Sequence, residues 1–98
     1  MSRLVVFTAA ALAETTDALE WYGFRSQKLR ERFEEELDDA VARVAENPLQ
    51  FRMNYKGVRR TLLHRFPYRL FFRVLPDRVQ VIACLHTSRS PRRWQRRV

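Results

Sequence analysis

"VRRTLLHRFPYRLFFRVLPDRVQVIACLH", residues 58–86, decides the fold of this 98-residue chain. It holds three β-type segments, at 58–66, 69–75 and 78–86, separated by "PY" at 67–68 and "PD" at 76–77. Proline presets turn geometry and has no N–H for a ladder, so each proline marks a reversal of the chain. Three antiparallel strands are the expected product. In the third, alternation puts Val79, Val81, Ala83 and Leu85 on one face and Gln80, Ile82, Cys84 and His86 on the other. In the second, Leu70, Phe72 and Val74 oppose Phe71, Arg73 and Leu75, and periodicity does not say which set meets the core. One face of the sheet is therefore expected to pack on helices, while the other mixes apolar with basic groups.

Upstream of residue 50 the period changes. "RLVVF" (3–7) is short, apolar and β-branched and reads as a first strand. Thr8 is placed to cap a helix, and Leu12, Thr16, Leu19 and Tyr22 form one stripe, so a short helix ending at Gly23 is expected. Ser26 caps a second helix. Its apolar period runs through Leu29, Phe33, Leu37, Ala40, Val41 and Val44, with "EEE" (34–36) and "DD" (38–39) facing away. Asn47-Pro48 ends it, because the residue before proline is pushed out of α geometry. Arg3 and "LVVFTAAALA" imitate a secretory signal, but Thr8 interrupts the run, which reads equally well as strand entering helix. No stretch is long and apolar enough for a membrane span. The expectation is one α+β domain over 1–98, in the order β-α-α-β-β-β: a helical hairpin (9–47) on a small, mainly antiparallel sheet, and a basic C-terminal tail (87–98).

The charge is divided. Residues 1–50 carry six Lys/Arg against ten Asp/Glu, whereas residues 51–98 carry thirteen against one. Such an imbalance points to an acidic protein, a nucleic acid or anionic lipid as the ligand of the second half. The single cysteine, Cys84, excludes an internal disulfide, and no second ligand stands at zinc spacing from it, so a cytoplasmic protein without metal or cofactor is expected.

The order of one strand, two helices and three strands, with "FPYRLFFRV" (66–74) followed by "IACLHTSRSPRRW" (82–94), resembles the RelE/ParE superfamily of bacterial type II toxins. The resemblance covers nearly the whole chain: "VVFT" before the first helix, "NP" after the second, "RR" at 59–60, "FPY" at 66–68, and the closure His86, Arg89, Pro91, Trp94. RelE-like members are similar to ribosome-dependent mRNA endoribonucleases. ParE-like members share the fold, usually lack the catalytic set, and are associated with DNA gyrase inhibition, growth arrest and plasmid stabilisation. The "FPY" turn and the closing motif favour the ParE-like branch, and hence a binder over an enzyme. Both branches imply a cognate acidic antitoxin and a hetero-oligomer with it. A non-toxic basic module that binds nucleic acid or protein is the reading outside the toxins.

For RNA cleavage, a general base, an acid and cations for the phosphate are needed. Arg59, Arg60, Arg65, Arg73 and Arg89 can supply cations, and His64 or His86 an imidazole; if the chain is a nuclease, His86, Arg89, Arg65 and Arg73 are its catalytic candidates. A carboxylate base is missing from the sheet, since Asp77 is the only acidic residue of the second half. For target binding the candidates are Arg59, Arg60, Arg65, Arg73, His86, Arg89, Arg92, Arg93 and Trp94. For antitoxin binding they are Trp21, Tyr22, Phe51, Tyr55, Arg60 and Arg73. Each has a plainer alternative: His86 bonded to neighbouring backbone, Arg89 as a loop clamp, Trp94 as a packing anchor, the aromatics as core, and "RRWQRR" (92–97) as a solvated tail.

Overall fold

The computed structural model describes residues 2–98. Its elements are β1 (Val5–Phe7), α1 (Ala9–Arg25), α2 (Gln27–Glu46), a 3-10 turn (Pro48–Gln50), β2 (Arg59–Leu62), β3 (Tyr68–Val74), β4 (Val79–His86) and α3 (Arg92–Gln95). The four strands form one sheet in the order β1-β4-β3-β2. β1 runs parallel to β4, and the other two pairings are antiparallel.

Thr8 makes the turn from strand to helix. Its N–H donates to the Val81 carbonyl at 2.9 Å, and its hydroxyl accepts from Ala11 N at 3.1 Å, capping α1. Thr8→Ala is expected to cost about 1 kcal/mol, read as a fall in the urea midpoint with an unchanged slope. α1 does not stop at Gly23; it continues to Arg25, and only Ser26 separates it from α2. The Ser26 N–H completes α1 by donating to the Tyr22 carbonyl (2.9 Å), and its side chain caps α2 by accepting from Leu29 N (3.4 Å).

The α1 stripe is displaced from the expected one. Tyr22 is buried and Leu19 packs against the core as expected, but Leu12 and Thr16 face solvent, and Ala11, Thr15 and Ala18 are buried in their place. Small side chains let α1 lie close to the sheet, and Thr15 satisfies its hydroxyl by donating to the Ala11 carbonyl at 2.9 Å. In α2 the stripe is the expected one, with Phe33, Leu37, Ala40 and Val44 buried.

β2 is shorter than the 58–66 segment. It ends at Leu62, and Arg65 adopts φ 65°, a left-handed conformation that cannot continue a ladder. The Leu63 N–H reaches the Tyr68 carbonyl (2.9 Å) and closes the loop.

The largest departure is in β4. Leu70 pairs with Cys84 and Phe71 with Ala83, but Phe72 pairs with Val81, so Ile82 is the extra residue of a β-bulge. The bulge reverses the alternation beyond it. Val79, Val81 and Cys84 join Leu70, Phe72, Phe33 and Tyr22 in the core beneath the helices. Ile82, Ala83 and Leu85 pack with Phe71, Val58 and Trp94 on the opposite face. The strictly alternating sets expected for this strand are thus corrected at residue 82, and in β3 it is Leu70, Phe72 and Val74 that meet the helices.

Candidate functional site

Away from the helices the sheet presents a basic face. The register sets Arg60 opposite Phe71, and Arg69 opposite both Leu62 and Leu85, on that side. Arg73 lies farther along the same face, donating to Gln80 Oε1 at 3.2 Å, while its buried Nε has no partner. Arg59 does not join them. Paired with Phe72, it sits on the helix side and donates to the Phe51 carbonyl at 2.8 Å, a structural contact. Arg65 stands apart in the exposed β2–β3 loop.

The C-terminal segment crosses this face and is not a free tail. Trp94 is 3% exposed, stacks on Phe71 at 4.7 Å and 21°, and takes the edge of Tyr55 at 5.9 Å. Arg92, Arg93 and Arg96 are exposed, but Arg97 turns inward. Its guanidinium meets Glu14 of α1 at 2.7 Å and donates to the Ile82 carbonyl, also at 2.7 Å. Glu14 in turn accepts from the Cys84 N–H at 3.0 Å. β1 pairs with β4 only as far as Val81, so this ion pair takes the place of a strand along the next stretch of edge. Hydrogen bonding to Glu14 also pushes the Arg97 pKa further up.

His86 lies at the end of β4, half-buried, its ring edge-on to Tyr68 at 5.3 Å. Its Nδ1 accepts from the Ser88 N–H (3.0 Å) and lies 2.8 Å from the Ser88 hydroxyl. A backbone N–H can only donate, so neutral His86 carries its proton on Nε2. Arg89 is exposed, its N–H donating to the His86 carbonyl at 3.0 Å. His86 and Arg89 line two hollows. One, about 410 Å³, runs between α1 and the end of β4, past Glu14, Asp17 and Trp21. The other, about 260 Å³, opens on the basic face between Arg60, Arg69 and Trp94.

The antitoxin-binding candidates divide by burial. Tyr22 is a core residue stacked on Phe33, and Phe51 packs edge-on to Phe72. Trp21 and Tyr55 remain exposed, Trp21 with the Arg25 guanidinium 3.5 Å from its ring. Phe24, 91% exposed, is an apolar surface residue that the helical stripe gave no reason to single out.

For a chain with this order of elements the sequence match decides the family: residues 5–91 fit the model of the ParE toxin of the type II toxin–antitoxin system parDE. The chain belongs to the ParE toxin family. No curated protein matches this ParE-family chain in sequence. Among solved structures it is similar to the chromosomal ParDE toxin–antitoxin system from P. aeruginosa, with a TM-score of 0.75 and 20% identity over 87% of this chain and 96% of that one. At that identity the likeness speaks for the fold. The ParE-like resemblance read from "FPY" and the closing His-Arg-Pro-Trp spacing therefore stands.

Cys84 of this ParE chain is a packing residue. Burial pushes its thiol from 9.0 up to about 11. Burial likewise raises Tyr68 and Tyr22. Up to about pH 9 the thiol is protonated whether the chain is folded or not. Between there and about pH 11 only the unfolded chain ionises, so stability is lost as pH rises through that window, by roughly 2–3 kcal/mol. Cys84→Ala should flatten part of the alkaline fall in denaturation midpoint, and iodoacetamide at pH 8 should leave the native thiol unmodified.

Proposed function

We propose that this chain arrests growth as a gyrase-directed toxin, one that binds through its basic face and does not cut RNA, and that a cognate antitoxin silences it by covering that face. One observation carries the distinction between binding and cutting. The proton-accepting nitrogen of His86 is occupied by Ser88, and the nearby carboxylate of Glu14 is held by Arg97 and the Cys84 N–H. Arginines for gripping an anion are thus abundant, while these two groups, the ones placed to take up a proton, are engaged elsewhere. Arg60, Arg73, His86, Arg89, Arg92, Arg93 and the segment anchored by Trp94 are the proposed target surface. The antitoxin is proposed to reach Arg60, Arg73, Trp21 and Tyr55. Such a toxin acts in the cytoplasm, where both gyrase and a reducing environment for Cys84 are found.

Induction of the chain alone in bacteria tests this. Loss of viability with a DNA-damage response and intact mRNA is expected, and purified chain should inhibit gyrase supercoiling. New 5′ ends on translated mRNA, abolished by His86→Ala or Arg89→Ala, would instead establish the RelE-like endoribonuclease. Unimpaired growth would leave a non-toxic binding module.

A further inference from the structure

We infer that Arg60, Arg69 and Arg89 form a receptor for one carboxylate side chain of the antitoxin, seated in the hollow over Phe71, Leu85 and Trp94. This rests on the proposed pairing of the chain with an antitoxin. The three arginines come from separate elements, β2, β3 and the turn after β4, and line one hollow of about 260 Å³. Arg60 stands opposite Phe71, and Arg69 lies two residues before Phe71 on the same face, so these two flank the ring. Arg89 reaches the same hollow from a turn fixed by its own N–H on the His86 carbonyl.

Among the described residues none of the three has a side-chain hydrogen bond or ion pair, whereas the guanidinium groups of Arg59, Arg73, Arg78 and Arg97 donate to the Phe51 carbonyl, Gln80, Asp77 and Glu14 respectively. Like charges gathered without a counter-ion repel, and an incoming anion relieves that repulsion. Among the described residues no carboxylate is paired with any of the three: Glu14 and Asp17 line the other hollow with Arg89, and Glu14 is held by Arg97. Asp77 lies in the β3–β4 turn, at the opposite end of the strands, and is paired with Arg78 at 3.0 Å.

Size and floor choose the ligand. Pockets for whole small molecules begin at about 300 Å³, so this hollow fits one side chain better than a nucleotide. A nucleic-acid groove also offers exposed aromatic faces to bases. Here Phe71 and Trp94 are 5% and 3% exposed and stacked on each other, leaving no such platform. What remains is a shallow apolar floor under three forked cations, which matches the methylenes and bidentate oxygens of Glu or Asp.

The test is an NMR titration of the full chain, reading the arginine Nε–H resonances, with three probes: Ac-Ala-Glu-Ala-NH2, its Gln counterpart, and inorganic phosphate. The Glu peptide should shift Arg60, Arg69 and Arg89 together and saturably, the Gln peptide should not, and phosphate should bind more weakly. Arg69→Gln and Arg89→Gln, checked for a native amide spectrum, should each weaken the Glu peptide about 5–10-fold. Equal or tighter phosphate binding would reassign the hollow to a phosphodiester backbone, and binding unaltered in both variants would overturn it. Growth arrest on induction combined with a silent titration removes the pocket alone. No arrest removes the toxin reading, and with it the antitoxin as source of the carboxylate, whatever the titration shows.

Discussion

Phe33→Ala is expected to destabilise the chain by about 3–5 kcal/mol, out of a total of roughly 5–15 kcal/mol for a domain of this size. Phe33 is 0% exposed, and its ring touches three others: Tyr22 stacked at 5.2 Å, Phe66 edge-on at 5.2 Å, and Tyr68 edge-on at 5.3 Å. Those partners come from α1, the β2–β3 loop and β3, so the one ring ties α2 to the rest of the core. Removing it leaves a cavity that three bulky aromatics cannot fill without leaving their rotamers. The melting temperature should drop by about 15–30 °C. Phe24→Ala is the matched control, because that ring is 91% exposed and its loss should stay within about 0.5 kcal/mol. A cost below about 1 kcal/mol for Phe33→Ala, measured by urea unfolding, would mean that this cluster does not hold the layers together.

Phe33 was visible in the sequence because α2 obeys a simple rule. Its apolar residues recur at helical spacing against a charged background, and burial follows the period. α1 defeats the same rule. Its larger apolar residue, Leu12, faces out at 57% exposure while Ala11 and Ala18 face in, since nearness to the sheet selects side chains for smallness. Hydropathy ranks leucine above alanine and so chooses the neighbouring stripe. The "PY" and "PD" turns placed β3 and β4 correctly to within a residue or two, because proline acts locally.

The faces of β4 were not legible, and the reason is also local in a different sense. A bulge at Ile82 leaves no mark in a run of apolar residues, yet one extra residue exchanges the faces of everything after it. Cys84 therefore moves to the helix core, and Leu85 to the basic face beside Arg69. The site depends on that exchange. It brings His86 against Tyr68 on the helix side and leaves Leu85 and Phe71 as the floor between the arginines. Trp94 as an anchor could be anticipated from its indole, whereas the partnership of Glu14 with Arg97 could not, since the two are 83 residues apart and each belongs to a segment rich in its own charge.

That partnership yields the second large effect: Glu14→Ala is expected to cost about 2–3 kcal/mol and to loosen the C-terminal segment. The pair is mostly shielded, with side chains 16% and 25% exposed. Removing the carboxylate leaves the Arg97 cation with only the Ile82 carbonyl, and strips the Cys84 N–H of its acceptor on a strand edge that β1 no longer covers. The cost should fall below the 3–5 kcal/mol of a wholly buried pair because water still reaches Arg97. Arg97→Leu should cost less than Glu14→Ala, since Glu14 keeps its bond to Cys84, and a double-mutant cycle should return a favourable coupling of about 1–2 kcal/mol. Asp77→Asn offers the contrast: its pair with Arg78 is 72% and 39% exposed, and the substitution should be nearly neutral. Amide exchange locates the effect, because in Glu14→Ala the Cys84 N–H should lose protection and trypsin should cut sooner at Arg92, Arg93 and Arg96, while amides of α2 stay protected. If Cys84 exchanges at its wild-type rate in that variant, the ion pair is not what closes the edge, and the segment bearing Trp94 is held on the basic face by the packing of that indole against Phe71, Tyr55 and their neighbours.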